Sequence, residues 1–116
     1  MVYGYCRVST KGQAKDGNSI EAQEAAVREA GAEEIYADAF TGTKKHRPQL
    51  DKLLKVIQNG DKVVVTKLDR IARSATQGIA LIDMMLDKGV TVHILNMGIM
   101  DNKNKGRMIR KIMIEF

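Results

Sequence analysis

The feature that most constrains the fold of this chain is an alternation. Short, β-prone apolar runs take turns with longer stretches whose apolar residues recur at helical spacing. Val2 to Val8 reads as a buried strand. A helix follows, with Asn18 as its N-cap and Glu21 three residues later as in a capping box. Its apolar side is Ile20, Ala22, Ala25, Ala26 and Val27, and it ends near Ala30-Gly31. Glu34 to Ala37 is a short strand, and the polar run Thr41 to Lys45 is loop. Pro48, the only proline, suits the first turn of a second helix. Leu50, Leu53, Leu54 and Ile57 give that helix one apolar face, and Asn59-Gly60-Asp61 ends it. Lys62 to Thr66 holds three consecutive valines, the mark of a strand buried on both faces. Ala75 to Lys88 is a third amphipathic helix through Ile79, Ile82, Met85 and Leu86, closed by Gly89. Val90 to Leu95 is the next strand. After the polar stretch Asp101 to Gly106, a last helical pattern places Met108, Ile109, Ile112, Met113 and Phe116 on one side. The order β-α-β-α-β-α-β-α predicts an α/β fold with a parallel sheet and helices packed over it.

At 116 residues the chain is one domain with a hydrophobic core. The apolar face of the last helix is still running at Phe116, with no capping glycine, so the sequence is read as a fragment cut inside a longer helix. That face fits core or an oligomer interface equally well. No run reaches the roughly 18 apolar residues of a membrane span. The single cysteine excludes an intrachain disulfide, and a reducing cytoplasm is expected. Cys6 lies in an apolar run and is read as a small buried hydrophobe. The net charge of +5 favours a polyanionic partner, a weak signal until the arginines are placed.

Three polar clusters fall at or just after strand ends: Tyr5-Cys6-Arg7-Val8-Ser9-Thr10, the pair Asp38 and Arg47, and Lys67-Leu68-Asp69-Arg70-Ile71-Ala72-Arg73-Ser74. Open parallel sheets bind ligands beyond the carboxyl ends of their strands. Arg7, Ser9, Arg47, Lys67, Asp69, Arg70 and Arg73 are therefore expected to converge there. Arginines around a serine suit phosphoryl chemistry, because guanidinium forks match phosphate oxygens and stay charged. Such prepositioned cations stabilise the charge that builds on a phosphodiester under attack. No histidine is placed as a base for the serine; His46 and His93 lie outside the clusters and are read as structural or solvated. Asp69 is either an acid or base or the partner that orients Arg70.

The string Tyr5-Cys6-Arg7-Val8-Ser9-Thr10 resembles the Y-x-R-V-S-T signature of the serine site-specific recombinases of the resolvase/invertase family. Lys67 to Arg73 resembles that family's K-L-D-R-x-x-R motif, Arg47-Pro48 with Leu50 its arginine at the head of the second helix, and Asp38 its acidic residue after the second strand. The likeness covers essentially the whole chain. It implies a resolvase-like three-layer α/β/α sandwich with a mostly parallel sheet and a C-terminal helix truncated at the chain end. It further implies a catalytic domain over 1–100 and the start of a long dimerisation helix over 101–116. The family's separate C-terminal DNA-binding domain is absent from this sequence.

By the same resemblance, Ser9 attacks DNA to form a 5′-phosphoseryl link. Arg7, Arg47, Arg70 and Arg73 hold the scissile phosphate, and Asp69 is a candidate acid for the leaving 3′-hydroxyl. Gln13, Gln23, Asp38 and Lys67 position the substrate, although the segment before Gln23 is a few residues longer than in small resolvases. Arg107, Arg110 and Lys111 on the last helix are candidate DNA contacts. The partners implied are double-stranded DNA and copies of the chain, as a dimer and, in the parent protein's synaptic complex, a tetramer. No metal, ATP or other cofactor is implied.

Two rival readings are a metal-dependent phosphatase or nuclease using Asp38 and Asp69, and a non-catalytic α/β nucleic-acid-binding module. A dinucleotide-binding domain is poorer, since no glycine-rich fingerprint follows the first strand.

Overall fold

The computed structural model of the chain describes residues 1–9, 19–40 and 48–115. Its strands are β1 (Val2–Ser9), β2 (Glu34–Phe40), β3 (Lys62–Val65), β4 (Thr91–Ile94) and β5 (Gly98–Met100). Its helices are α1 (Ile20–Glu29), α2 (Pro48–Val56), α3 (Ala75–Asp87) and α4 (Lys105–Glu115), and a single 3-10 turn spans Leu68–Arg70. The strands form one sheet in the order β2-β1-β3-β4-β5. The first four run parallel and β5 runs antiparallel to β4. The expected loop at Thr41 to Lys45, the cap at Asn18 and the apolar Phe116 lie outside the described residues.

Side chains alternate across the sheet, as strand geometry requires. Tyr3, Tyr5, Val63, Val65, Val92 and Ile94 enter one core. They meet Leu50, Leu53 and Ile57 around α2, Ile82, Met85 and Leu86 of α3, and Met108 and Ile112 of α4. Cys6 and Val64 enter the opposite core with Val27 of α1 and Ala32. The three valines of β3 therefore do cover both faces. α1 lies so close to β1 that a Cβ on Gly4 would stand 2.7 Å from Val27 Cγ2. Burial pushes the Cys6 thiol up to about 12, so it stays protonated as a small core residue.

Three expectations are corrected. The N-cap of α1 is Ser19, not Asn18: Ser19 has extended backbone and its Oγ accepts from the Ala22 N–H at 3.1 Å. β5 was not expected, because three residues are too few for an alternating pattern to register. It exists because Met97 N–H donates to the Ile94 carbonyl at 2.9 Å and Gly98 adopts φ 124°, turning the chain back along β4. On α4, Met113 does not share the buried side of Met108 and Ile112. It is 66% exposed, and Ile114 is 84% exposed.

Side chains fasten α4 to the rest of the fold. Lys105 pairs with Asp83 of α3, Asn102 donates to the Leu86 carbonyl at 3.2 Å, and Lys111 Nζ donates to the Met97 carbonyl at 3.0 Å. No helix among the described residues is long and apolar enough to cross a membrane.

Candidate active site

In a parallel ladder, alternate residues turn their backbone groups to alternate neighbours. The Val2 carbonyl accepts from Glu33 on the β2 side, and the Met1 carbonyl accepts from Lys62 on the β3 side. Odd-numbered residues of β1 therefore face β3. Pairing with β3 stops at Gly4, while pairing with β2 runs on to Ser9. Beyond Gly4 the backbone groups of β1 on that side need other partners.

At Arg7 a side chain supplies them. Gln23 of α1, only 2% exposed, accepts from the Arg7 N–H through Oε1 at 3.1 Å. The same amide donates to the Arg7 carbonyl through Nε2, also at 3.1 Å. The Arg7 carbonyl also accepts from Arg70 Nη1 at 3.2 Å. In return, Arg7 Nη2 donates to the main-chain carbonyl of Asp69. The end of β1 and the 3-10 turn are thus cross-linked by two arginines, each bonded to the main chain of the other's segment.

Arg70 is well covered, its side chain 12% exposed, whereas the Asp69 side chain is 60% exposed. Asp69 Oδ1 lies 3.6 Å from Arg70 Nε, a geometry that orients the guanidinium. Two cations held by carbonyl oxygens at the carboxyl end of the sheet are the arrangement that a preorganised anion site requires. Ser9, the last residue of β1, lies two residues beyond Arg7.

Asp38 is in register with Arg7 on the neighbouring strand, but its carboxylate is engaged elsewhere. It is 5% exposed and accepts from the Tyr5 hydroxyl at 2.7 Å and from the Gln49 and Leu50 N–H groups at 3.0 and 3.1 Å. It therefore caps α2 from a distant strand, satisfying two amides that the helix cannot. The cap fixes the start of α2 at Pro48. Tyr5 belongs to this arrangement although sequence reasoning gave it no role of its own. The available signal was a tyrosine inside an apolar strand, whose hydroxyl must find a partner once buried.

Lys67 is exposed just before the 3-10 turn. Arg73 is also exposed, and its N–H donates to Gln77 Oε1 at 2.7 Å as the chain enters α3. Gln13 and Arg47 lie outside the described residues. On α4, Arg107 and Arg110 are exposed, while the Lys111 ammonium is on the Met97 carbonyl. His93, on β4, titrates below the usual histidine range because it is partly buried and faces Lys62. Among the described residues, no group of three His, Cys, Asp or Glu side chains gathers as a metal site would need.

A family model described as "Resolvase, N terminal domain" matches residues 2–116. The chain is 37% identical over 113 residues to the serine recombinase gin of Escherichia phage Mu, covering 97% of this chain and 56% of that protein. It is 32% identical to the transposon Tn917 resolvase of Enterococcus faecalis, covering 97% and 59%. The chain thus spans little more than half the length of these curated relatives. Among solved structures it resembles the N-terminal catalytic domain of TP901-1 integrase, with TM-score 0.77 and 30% identity over 97% of this chain and 91% of that one. A resolvase family site-specific recombinase from Streptococcus pneumoniae matches with TM-score 0.74 and 29% identity, over 97% and 83%. With the arginine pair at the end of β1 and a family match across nearly its whole length, this chain belongs to the resolvase N-terminal domain family.

Proposed function

We propose that this chain is the catalytic domain of a site-specific DNA recombinase. Ser9 attacks a DNA phosphodiester, forming a bond to phosphorus while the bond to the 3′-oxygen breaks. The product is a 5′-phosphoseryl linkage and a free 3′-hydroxyl. After strand exchange, a 3′-hydroxyl attacks the phosphoserine and releases Ser9. The linkage conserves the phosphodiester, so neither metal nor ATP is needed. Arg7 and Arg70, with Arg47 and Arg73, hold the phosphate and stabilise its charge. Asp69 is the candidate donor of the proton that the leaving 3′-oxygen takes up.

The observation that carries this reading is the pairing of Arg7 and Arg70 at the strand end that bears Ser9. The metal-dependent rival is disfavoured because both Asp38 oxygens are taken by Tyr5 and the head of α2. Residues 1–100 form the catalytic unit and 101–116 begin the dimerisation helix. The parent protein adds a separate DNA-binding domain, pairs as a dimer and assembles as a tetramer on two DNA sites. The exposed Met113 and Ile114 suit that pairing, and the exposed Arg107 and Arg110 suit a phosphate backbone. The protein works in the cytoplasm.

The test uses the parent protein with its recombination-site DNA in EDTA, trapped in denaturant. A covalent adduct on the 5′ end that vanishes in Ser9→Ala is expected. An adduct that persists in the variant, or cleavage that requires a divalent ion, overturns the assignment.

A further inference from the structure

We infer that Gln23 is a positioning residue for strand cleavage: it acts through the main chain of Arg7, as a substitute for a missing strand, and not by touching DNA. The inference rests on the recombinase reading and deepens it.

Three observations carry it. First, the Arg7 N–H and carbonyl face the side on which β3 has already left the ladder. Second, the Gln23 amide meets both of these groups at 3.1 Å, one through each polar atom. A primary amide presents a neutral donor and acceptor side by side, as a peptide unit does. Third, Gln23 is buried, with 2% of its surface exposed, so it offers almost nothing for a DNA backbone to contact. Its place on α1 is itself fixed, since the Gln23 N–H donates to the Ser19 carbonyl at 3.0 Å in the capped first turn.

The consequence reaches both reacting groups. Fixing the φ and ψ of Arg7 sets where its guanidinium starts, and sets the course of the two residues that lead to Ser9. The Arg7 carbonyl also receives Arg70, so the same main-chain unit aligns the second cation. Loss of the Gln23 amide leaves the Arg7 N–H without this acceptor and the strand end free to shift. Misplacement of reacting groups by about 1 Å costs on the order of 100-fold in rate.

The experiment compares wild type, Gln23→Met, Gln23→Glu and Ser9→Ala in the parent protein. Methionine keeps the length and burial but neither polar atom. Glutamate keeps the acceptor for the Arg7 N–H and loses the donor to its carbonyl. Three quantities are read: DNA affinity, the rate of covalent adduct formation on saturated DNA, and hydrogen exchange at the Arg7 amide. For Gln23→Met, affinity within about twofold of wild type is expected, with adduct formation slowed by about 100-fold and faster Arg7 exchange. Gln23→Glu is expected to lie between the two in rate and to retain Arg7 protection. A Gln23→Met protein that cleaves at the wild-type rate overturns the inference. So does one whose defect lies in affinity alone, or one in which Arg7 exchange is unchanged. If the methionine variant does not fold, Gln23→Glu decides alone: slowed cleavage with wild-type affinity and a protected Arg7 amide supports the inference, and any other result overturns it. Failure of the recombinase reading itself would appear separately, as an adduct that survives Ser9→Ala.

Discussion

Replacing Asp38 by alanine should unfold this domain far more easily than its position near an active site would suggest. The carboxylate accepts from three groups: the Tyr5 hydroxyl and the N–H groups of Gln49 and Leu50. Loss of a helix cap typically costs about 1 kcal/mol. A buried hydroxyl or amide left without its acceptor costs about 1–3 kcal/mol. The Gln49 contact is only partly buried, so water recovers some of it, whereas the Leu50 and Tyr5 contacts are buried. The sum is about 3–4 kcal/mol. A domain of this length has roughly 6–17 kcal/mol in total, so the midpoint of thermal unfolding should fall by about 10–20 °C. Tyr5→Phe should cost only about 1–1.5 kcal/mol, because Asp38 keeps both amides of α2. Urea unfolding followed by circular dichroism gives both values, and the double variant should lose less than their sum, since the shared bond can be lost only once. A loss below about 1 kcal/mol for Asp38→Ala, or full additivity with Tyr5→Phe, would refute the capping role.

Two further outcomes follow from the core. Gly4→Ala places a methyl 2.7 Å from Val27 Cγ2 and 3.1 Å from Ala32 Cβ, so it should cost about 1–3 kcal/mol by overpacking; an unchanged urea midpoint would contradict the close approach of α1. Cys6, pushed up to about 12 by burial, should resist a thiol reagent at pH 8 until the protein is unfolded. The sign of its linkage is definite: the unfolded thiol ionises near its ordinary value while the folded one stays protonated, so stability falls as pH rises from about 9 toward 12. Cys6→Ala should flatten that fall, and an equal alkaline slope in both proteins would contradict it.

The sequence was most informative where a pattern repeats. Four strands and four helices could be placed from apolar spacing, and the valines of β3 announced a strand covered on both sides. Arg7 and Arg70 could be brought together because parallel topology sends both strand ends to one edge. What could not be read depends on partners distant in the chain. Nothing in the residues around Asp38 says that it caps a helix beginning ten positions later, since that requires β2 and α2 to be packed already. Gln23 looked like a substrate contact, yet its amide completes the edge of a strand, a need created only where β3 diverges. Lys111, a candidate DNA contact by sequence, also donates to the Met97 carbonyl, a partner that exists only once the turn at Met97 is in place. Ser19 displaced Asn18 as the cap because one residue decides where extended backbone becomes helical, and both types cap well.

The shortest strand has the largest effect on the polarity of the molecule. After four parallel strands, each carrying the chain toward the edge that bears the arginines, β5 makes a U-turn and returns it to the opposite edge. There Asn102 meets Leu86 near the far end of α3, and α4 sets out in the opposite sense. Six residues after its start, Lys111 is level with Met97, back at the rim from which the chain departed. Three residues of reversed strand thus aim the last helix at the end of the sheet that bears Arg7 and Arg70 instead of away from it. An insertion or deletion in Gly98–Met100 that abolished the reversal would leave Arg7 and Arg70 intact and point the helix at the other end of the domain.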